Sequence, residues 1–160
     1  MEGDKHADWV SVINHHDSLV GCAVVYFTDP RDSNNKGGID LWRTFGDEFK
    51  ITVDPSCTNG MLRTDLDPWY FQIPCKYGTI WPWGRRQIAI DIDYHDQIAN
   101  KVRAIPGVWA AHDGDREKTL VFDVSLFRQI ANIVLPRKRR RLSADQRAAC
   151  IEKLATYRFS

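Results

Sequence analysis

A chain of 160 residues, 43% hydrophobic and 27% charged, is ordinary for one folded soluble domain and long enough to bury a core. It contains no run approaching the ~18 apolar residues of a membrane span, and its N-terminus, MEGDKHADWVSV, lacks a basic-then-apolar leader pattern. It therefore reads as intracellular, with reduced thiols at Cys22, Cys57, Cys75 and Cys150.

Residues 1–17 are polar apart from an apolar island at Trp9, Val10, Val12 and Ile13. The β-branched and aromatic run Ser18 to Thr28 (SLVGCAVVYFT) predicts a buried strand, and DPRDSNNKGG, Asp29 to Gly38, is turn chemistry that predicts a surface loop. Short strands are expected at Ile39–Phe45, Phe49–Val53, Met61–Leu66 and Trp69–Ile73, separated by turn formers in the manner of an antiparallel meander. In YGTIWPWGRR, Pro82 argues against a central strand and favours a turn closing one end of the sheet. Gln87 to Tyr94 alternates: Ile88, Ile90, Ile92 and Tyr94 share one face, while Gln87, Ala89, Asp91 and Asp93 share the other, read as solvated.

The period then changes to that of a helix. Ile98, Val102 and Ile105 form a stripe ended by Pro106-Gly107. VWAAH and KTLVFDV flank a hairpin at Asp113-Gly114, with Leu120, Phe122 and Val124 on one face of the second strand. Ser125 is placed to cap a helix striped by Leu126, Ile130, Ile133 and Val134, ended by Pro136. Last, Ser143 and Gln146 form a capping box before a helix whose apolar face (Ala148, Ile151, Leu154, Ala155) is thin enough to dock only weakly. The expected class is α+β: an antiparallel sheet of short strands with two covering helices, then a basic linker and a C-terminal helix. The expected division is an α+β domain over 1–135 and a basic segment with its helix over 136–160.

The net charge of +1 conceals an asymmetry. Arg137 to Arg158 holds eight basic residues against Asp145 and Glu152, a net of +6, which leaves −5 for the rest of the chain. Such an acidic body with a basic end points to a polyanion partner. Arg137, Lys138, Arg139, Arg140 and Arg141 are consecutive, and guanidiniums match phosphate oxygens in pairs while each neutralised phosphate releases counterions. Arg147 and Lys153 extend the set, and the amides of the helix capped by Ser143 offer a nearby place for an anion. The competing readings are a solvated linker and, in a eukaryotic host, a nuclear address.

Trp81, Trp83, Arg85 and Arg86 combine stacking faces with phosphate ligands, the mixture used on single-stranded nucleic acid, against the bland alternative of buried aromatics. Asp91 and Asp93, about 6.6 Å apart on one strand face, could hold a divalent metal for phosphodiester hydrolysis with Asp115 or Glu117. The bland alternative is a pair of surface carboxylates. His15, His16, His95 and His112 lack metal-ligand spacing, and neither a Walker loop nor G-x-S-x-G nor G-x-G-x-x-G is present.

The stretch Gln97 to Val134 orders helix, strand, hairpin, strand and helix, with Ile105, Pro106 and Gly107 ending the first helix and Trp109, Phe122 and Phe127 following. In this it resembles the HARP-type module that precedes the motor of annealing helicases, a module that helps its motor handle branched DNA. The resemblance implies DNA contact; it lacks a motor here, and its hairpin, DGDRE, is acidic.

The leading expectation is a non-enzymatic nucleic-acid-binding accessory protein, without cofactor or metal. The alternatives are a small interaction or inhibitory module of phage or mobile-element type, binding a partner protein through its acidic, aromatic-rich body, and a metal-dependent nuclease using Asp91 and Asp93.

Overall fold

The computed structural model describes residues 10–17, 20–29, 37–55 and 68–158. The fold is α+β, built on two antiparallel sheets over one core. The smaller sheet is β1 (Val10–Asp17), β2 (Cys22–Phe27) and β3 (Gly38–Ile39), in that order. The larger contains β4 (Thr52–Val53), β5 (Phe71–Cys75), β6 (Gly78–Gly84), β7 (Gln87–Asp93), β8 (Trp109–Asp113) and β9 (Glu117–Asp123). Its order is β4-β5-β6-β7-β9-β8, so β6, β7 and β9 are interior and β8 is an edge. The helices are α1 (Leu41–Phe45), α2 (Asp96–Arg103), α3 (Phe127–Val134) and α4 (Ala144–Arg158).

Alternation along the central strands sets the core. Ile80, Ile88, Ile90, Ile92, Leu120 and Phe122 are fully or almost fully buried on one face. Val102 of α2 and Phe127, Ile130 and Val134 of α3 cover that face, and Val24, Ile39, Leu41 and Phe45 of the smaller sheet and α1 join the same core. Phe127 stacks on Phe45 at 4.0 Å between centroids, which ties α3 to α1.

Several elements differ from the sequence-based expectation, each for a local reason. The polar N-terminal segment contains β1, which pairs with β2 from Val10↔Phe27 to Asp17↔Cys22. Of Ile39–Phe45 only Ile39 is strand before the chain turns helical, because the buried Asp40 carboxylate caps α1 by accepting from the Arg43 amide at 3.0 Å. Of Phe49–Val53 only Thr52–Val53 is strand, and Trp69–Ile73 is displaced to Phe71–Cys75 behind a 3₁₀ turn at Pro68–Tyr70.

Pro82 lies inside β6 between two other strands, paired with Ile88. It is tolerated there because the β5–β6 pairs stop at Ile80 and the β6–β7 register shifts between Pro82 and Gly84. Ser125 does not cap α3, which starts after Leu126 without a side-chain cap; instead Asp123 caps the 3₁₀ turn Val124–Leu126 that leads into it, its carboxylate accepting from the Ser125 amide at 2.9 Å. The expected strand at Met61–Leu66, and residues 30–36 of the expected loop, fall outside the described residues.

Candidate functional site

The basic run is not a bare connector. Leu135, in the left-handed region at φ 57°, turns the chain out of α3 and directs the following residues along the body as a strap. The strap is hydrogen-bonded on both sides. The Arg137 amide donates to Pro74 at 2.8 Å on the β5 side; opposite, the Lys50 amide donates to Arg137 and the Arg139 amide to Glu48, both at 2.9 Å. Bridges Cys75↔Pro136 and Phe49↔Lys138 complete the docking. Arg128 stiffens the receiving loop, donating to both Glu48 carboxylate oxygens at 2.7 and 2.6 Å and to the Val20 carbonyl at 2.8 Å. The same hydrogen bonds hold the Glu48 carboxyl below its ordinary range, more strongly than burial opposes them.

This docking divides the five basic side chains into two groups. The Arg139 and Arg141 guanidiniums fold back and donate to the Gly46 and Asp47 carbonyls at 3.4 and 2.9 Å. Arg137, Lys138 and Arg140 are exposed and make no side-chain hydrogen bond or ion pair among the described residues.

Beyond the strap, the capping box is present in both directions: Ser143 N–H donates to Gln146 Oε1, and Gln146 N–H donates to Ser143 Oγ, both at 3.1 Å. From Ala144 to Thr156 every side chain of α4 is exposed, including Ile151 at 62% and Leu154 at 68%. Arg147, Ile151 and Leu154, four and then three residues apart, share one side of this helix. Lys153 projects away from them, about 100° round the helix from Leu154.

The other face of the large sheet is the feature that sequence reading underestimates. The register Trp81↔Ala89, Ala89↔Val121, Val121↔Trp109 sets one row across β6, β7, β9 and β8. At its ends stand tryptophans, and between them the small Ala89 and Val121 have no exposure at all. Trp83, expected in a turn closing one end of the sheet, instead stands half-buried in β6 and spans the gap, its ring 5.4 Å from that of Trp81 and 5.7 Å from that of Trp109. The three rings thus make one continuous aromatic shelf over a face expected to be solvated. Trp109 is 43% exposed, and Trp81 Nε1 is buried with no acceptor. No signal local to YGTIWPWGRR could have brought in Trp109, which arrives through the hairpin register.

Two residues further along the strands the same face turns polar. Thr79, Asp91, Thr119 and His112 form the next row, with Thr119 Oγ1 donating to Asp91 Oδ1 at 2.7 Å. The row after that pairs Asp93 directly with Glu117, two like charges face to face. These carboxylates, with Lys76, Tyr77 and His95, line an open cavity of about 330 Å³. Among the described residues, no three His, Cys, Asp or Glu side chains are grouped to hold a metal ion. Nor is the buried Cys75 set up as a nucleophile, since burial pushes its thiol up to about 12.

The structure keeps Trp81, Trp83, Arg85 and Arg86 together but separates them from the strap. Pro136 bridges to Cys75, which pairs with Gly78 at the start of β6, whereas Trp83 and the Arg85–Arg86 turn lie at its end. The length of β6 between them is about 20 Å. Arg86 is also committed, donating to Asp123 at 3.3 and 3.4 Å and to Tyr26 Oη at 3.1 Å, while Arg85 is exposed. No helix among the described residues is long and apolar enough to cross a membrane. Against protein-family models, curated proteins and solved structures alike, the chain finds no match.

Proposed function

We propose that the chain is a nucleic-acid-binding accessory protein that grips the phosphate backbone through the strap Arg137 to Arg141. The observation that carries this reading is the strap's docking. Its backbone is fixed on two sides while Arg137, Lys138 and Arg140 remain exposed and unpaired. Cations held on a rigid support lose less conformational freedom on binding than the same residues on a free tail, and unpaired cations give up no internal partner to reach a phosphate. Lys153 on α4 extends the basic surface, and Arg139 and Arg141 contribute charge while bonded to the body. The carboxylates Asp91, Asp93 and Glu117, in two adjacent rows, mark the outer sheet face as one that a phosphate backbone avoids.

Titrating the full chain against single-stranded and duplex DNA and RNA at two salt concentrations tests the reading. Binding that weakens steeply with salt and ranks little by sequence is the expected result, because phosphate contacts carry charge but no base readout. Absence of binding to all four at the lower salt removes it.

A further inference from the structure

Two surfaces of this chain have no cover among the described residues, and they complement each other. One is α4: a solitary helix of 15 residues is marginal in water, since most helical stability comes from packing against a neighbour. Its side bearing Ile151 and Leu154 also carries Arg147, and all three are exposed. The other is the outer face of β6, β7, β9 and β8, with its tryptophan shelf beside the Asp91, Asp93 and Glu117 carboxylates. The edge of that sheet is poorly suited to adding a strand: β8 has only five residues, its register shifts between Ala110 and His112, and it ends at Asp113. A partner therefore lies across the face rather than along the edge.

We infer that α4 of one copy packs across the tryptophan and carboxylate face of a second copy, in a reciprocal two-fold exchange. The dimensions agree. The helix is about 22 Å long, close to the ~23 Å of the seven-residue strands β7 and β9 beneath it. From the tryptophan row to the Asp91 row is about 6.6 Å along the strands, and to the Asp93–Glu117 row about 13 Å. Along the helix Arg147 precedes Ile151 by about 6 Å and Leu154 by about 10 Å. With Ile151 and Leu154 on the tryptophans, Arg147 then falls among the carboxylates.

The charges agree locally: the docking side of α4 carries Arg147, its two acidic residues Asp145 and Glu152 lie on the other side of the helix, and the facing sheet presents Asp91, Asp93 and Glu117. A two-fold exchange counts every contact twice, so each arm needs to supply only about half of the ~1,200 Å² at which stable interfaces begin. Lys153 and the exposed strap residues point elsewhere, so association and phosphate contact draw on different side chains.

Sedimentation equilibrium of the full chain over a dilution series, with far-UV circular dichroism on the same samples, tests this. The expected mass is twice 18.5 kDa, and dilution to monomer removes helical signal equal to the 15 residues of α4. Trp109→Ala should weaken association roughly tenfold or more, as for an aromatic anchor, and should melt α4 although the change lies in the sheet. Ile151→Asp with Leu154→Asp, which cannot disturb the body, should do the same, whereas replacing Arg137, Lys138 and Arg140 by Ala should leave the dimer intact. A monomer with undiminished helicity, a stoichiometry other than two, or a dimer indifferent to both sets of variants overturns the inference. None of these outcomes bears on whether the strap binds nucleic acid.

Discussion

The two faces of one sheet obey different rules here. On the inner face Ile88, Ile90, Leu120 and Phe122 sit under α2, α3 and the smaller sheet with no exposure, a continuous apolar layer of the kind that sets stability. On the outer face the same strands offer Ala89 and Val121 beneath three tryptophans, then Asp91 and Thr119, then Asp93 opposite Glu117. Nothing in folding requires large aromatics to stand beside facing carboxylates on a surface that no described residue covers. The difference separates residues kept for the fold from residues available to a partner.

Substitution can sharpen that contrast. Phe122→Ala should have the largest effect, about 3–5 kcal/mol, because a fully buried Phe leaves a cavity at the centre of the core. Trp83→Ala on the outer face should cost about 1–3 kcal/mol, from two aromatic contacts without a full burial loss. Denaturant melts of both variants check the ranking; equal costs, or the reverse order, would erase the distinction between the faces. Asp40→Ala should cost less again, about 1 kcal/mol, since it removes the α1 cap and the Arg43 ion pair at 2.9 Å but opens no large cavity.

The smallest effect should come from pH. The Glu48 carboxyl is held low in the folded state by Arg128, so its contribution is present above the ordinary value of 4.5 and is lost as pH falls through the folded value. With the Glu48 side chain 44% exposed, solvent screens most of the pair. Melts of Glu48→Gln and the unaltered chain should therefore differ slightly at neutral pH and converge in acid. A gap that widens in acid would reverse the sign of this coupling.

Much of the inner face is legible in the sequence, because alternation in QIAIDIDY and KTLVFDV and the helical stripes of α2 and α3 are local signals. So is the Ser143–Gln146 cap. What escapes reading is non-local or very short. The five-residue α1 is too short to show a period, and only Asp40 with the Arg43 amide marks it. β1 is polar and becomes a strand through its register with β2. Trp109 joins Trp81 and Trp83 only once four strands are aligned, and the strap is fixed by backbone bonds to Pro74, Lys50 and Glu48, far away in the chain.

The central functional claim is that Arg137, Lys138 and Arg140 meet phosphate. Fluorescence anisotropy with a labelled oligonucleotide, repeated over a range of salt, compares the unaltered chain with the variant carrying Ala at all three positions. Each lost contact lowers the slope of log affinity against log salt by about 0.7–0.9, so the triple variant should lose about 2–3 while its denaturant midpoint stays put. A slope that does not change in the folded variant would contradict the claim.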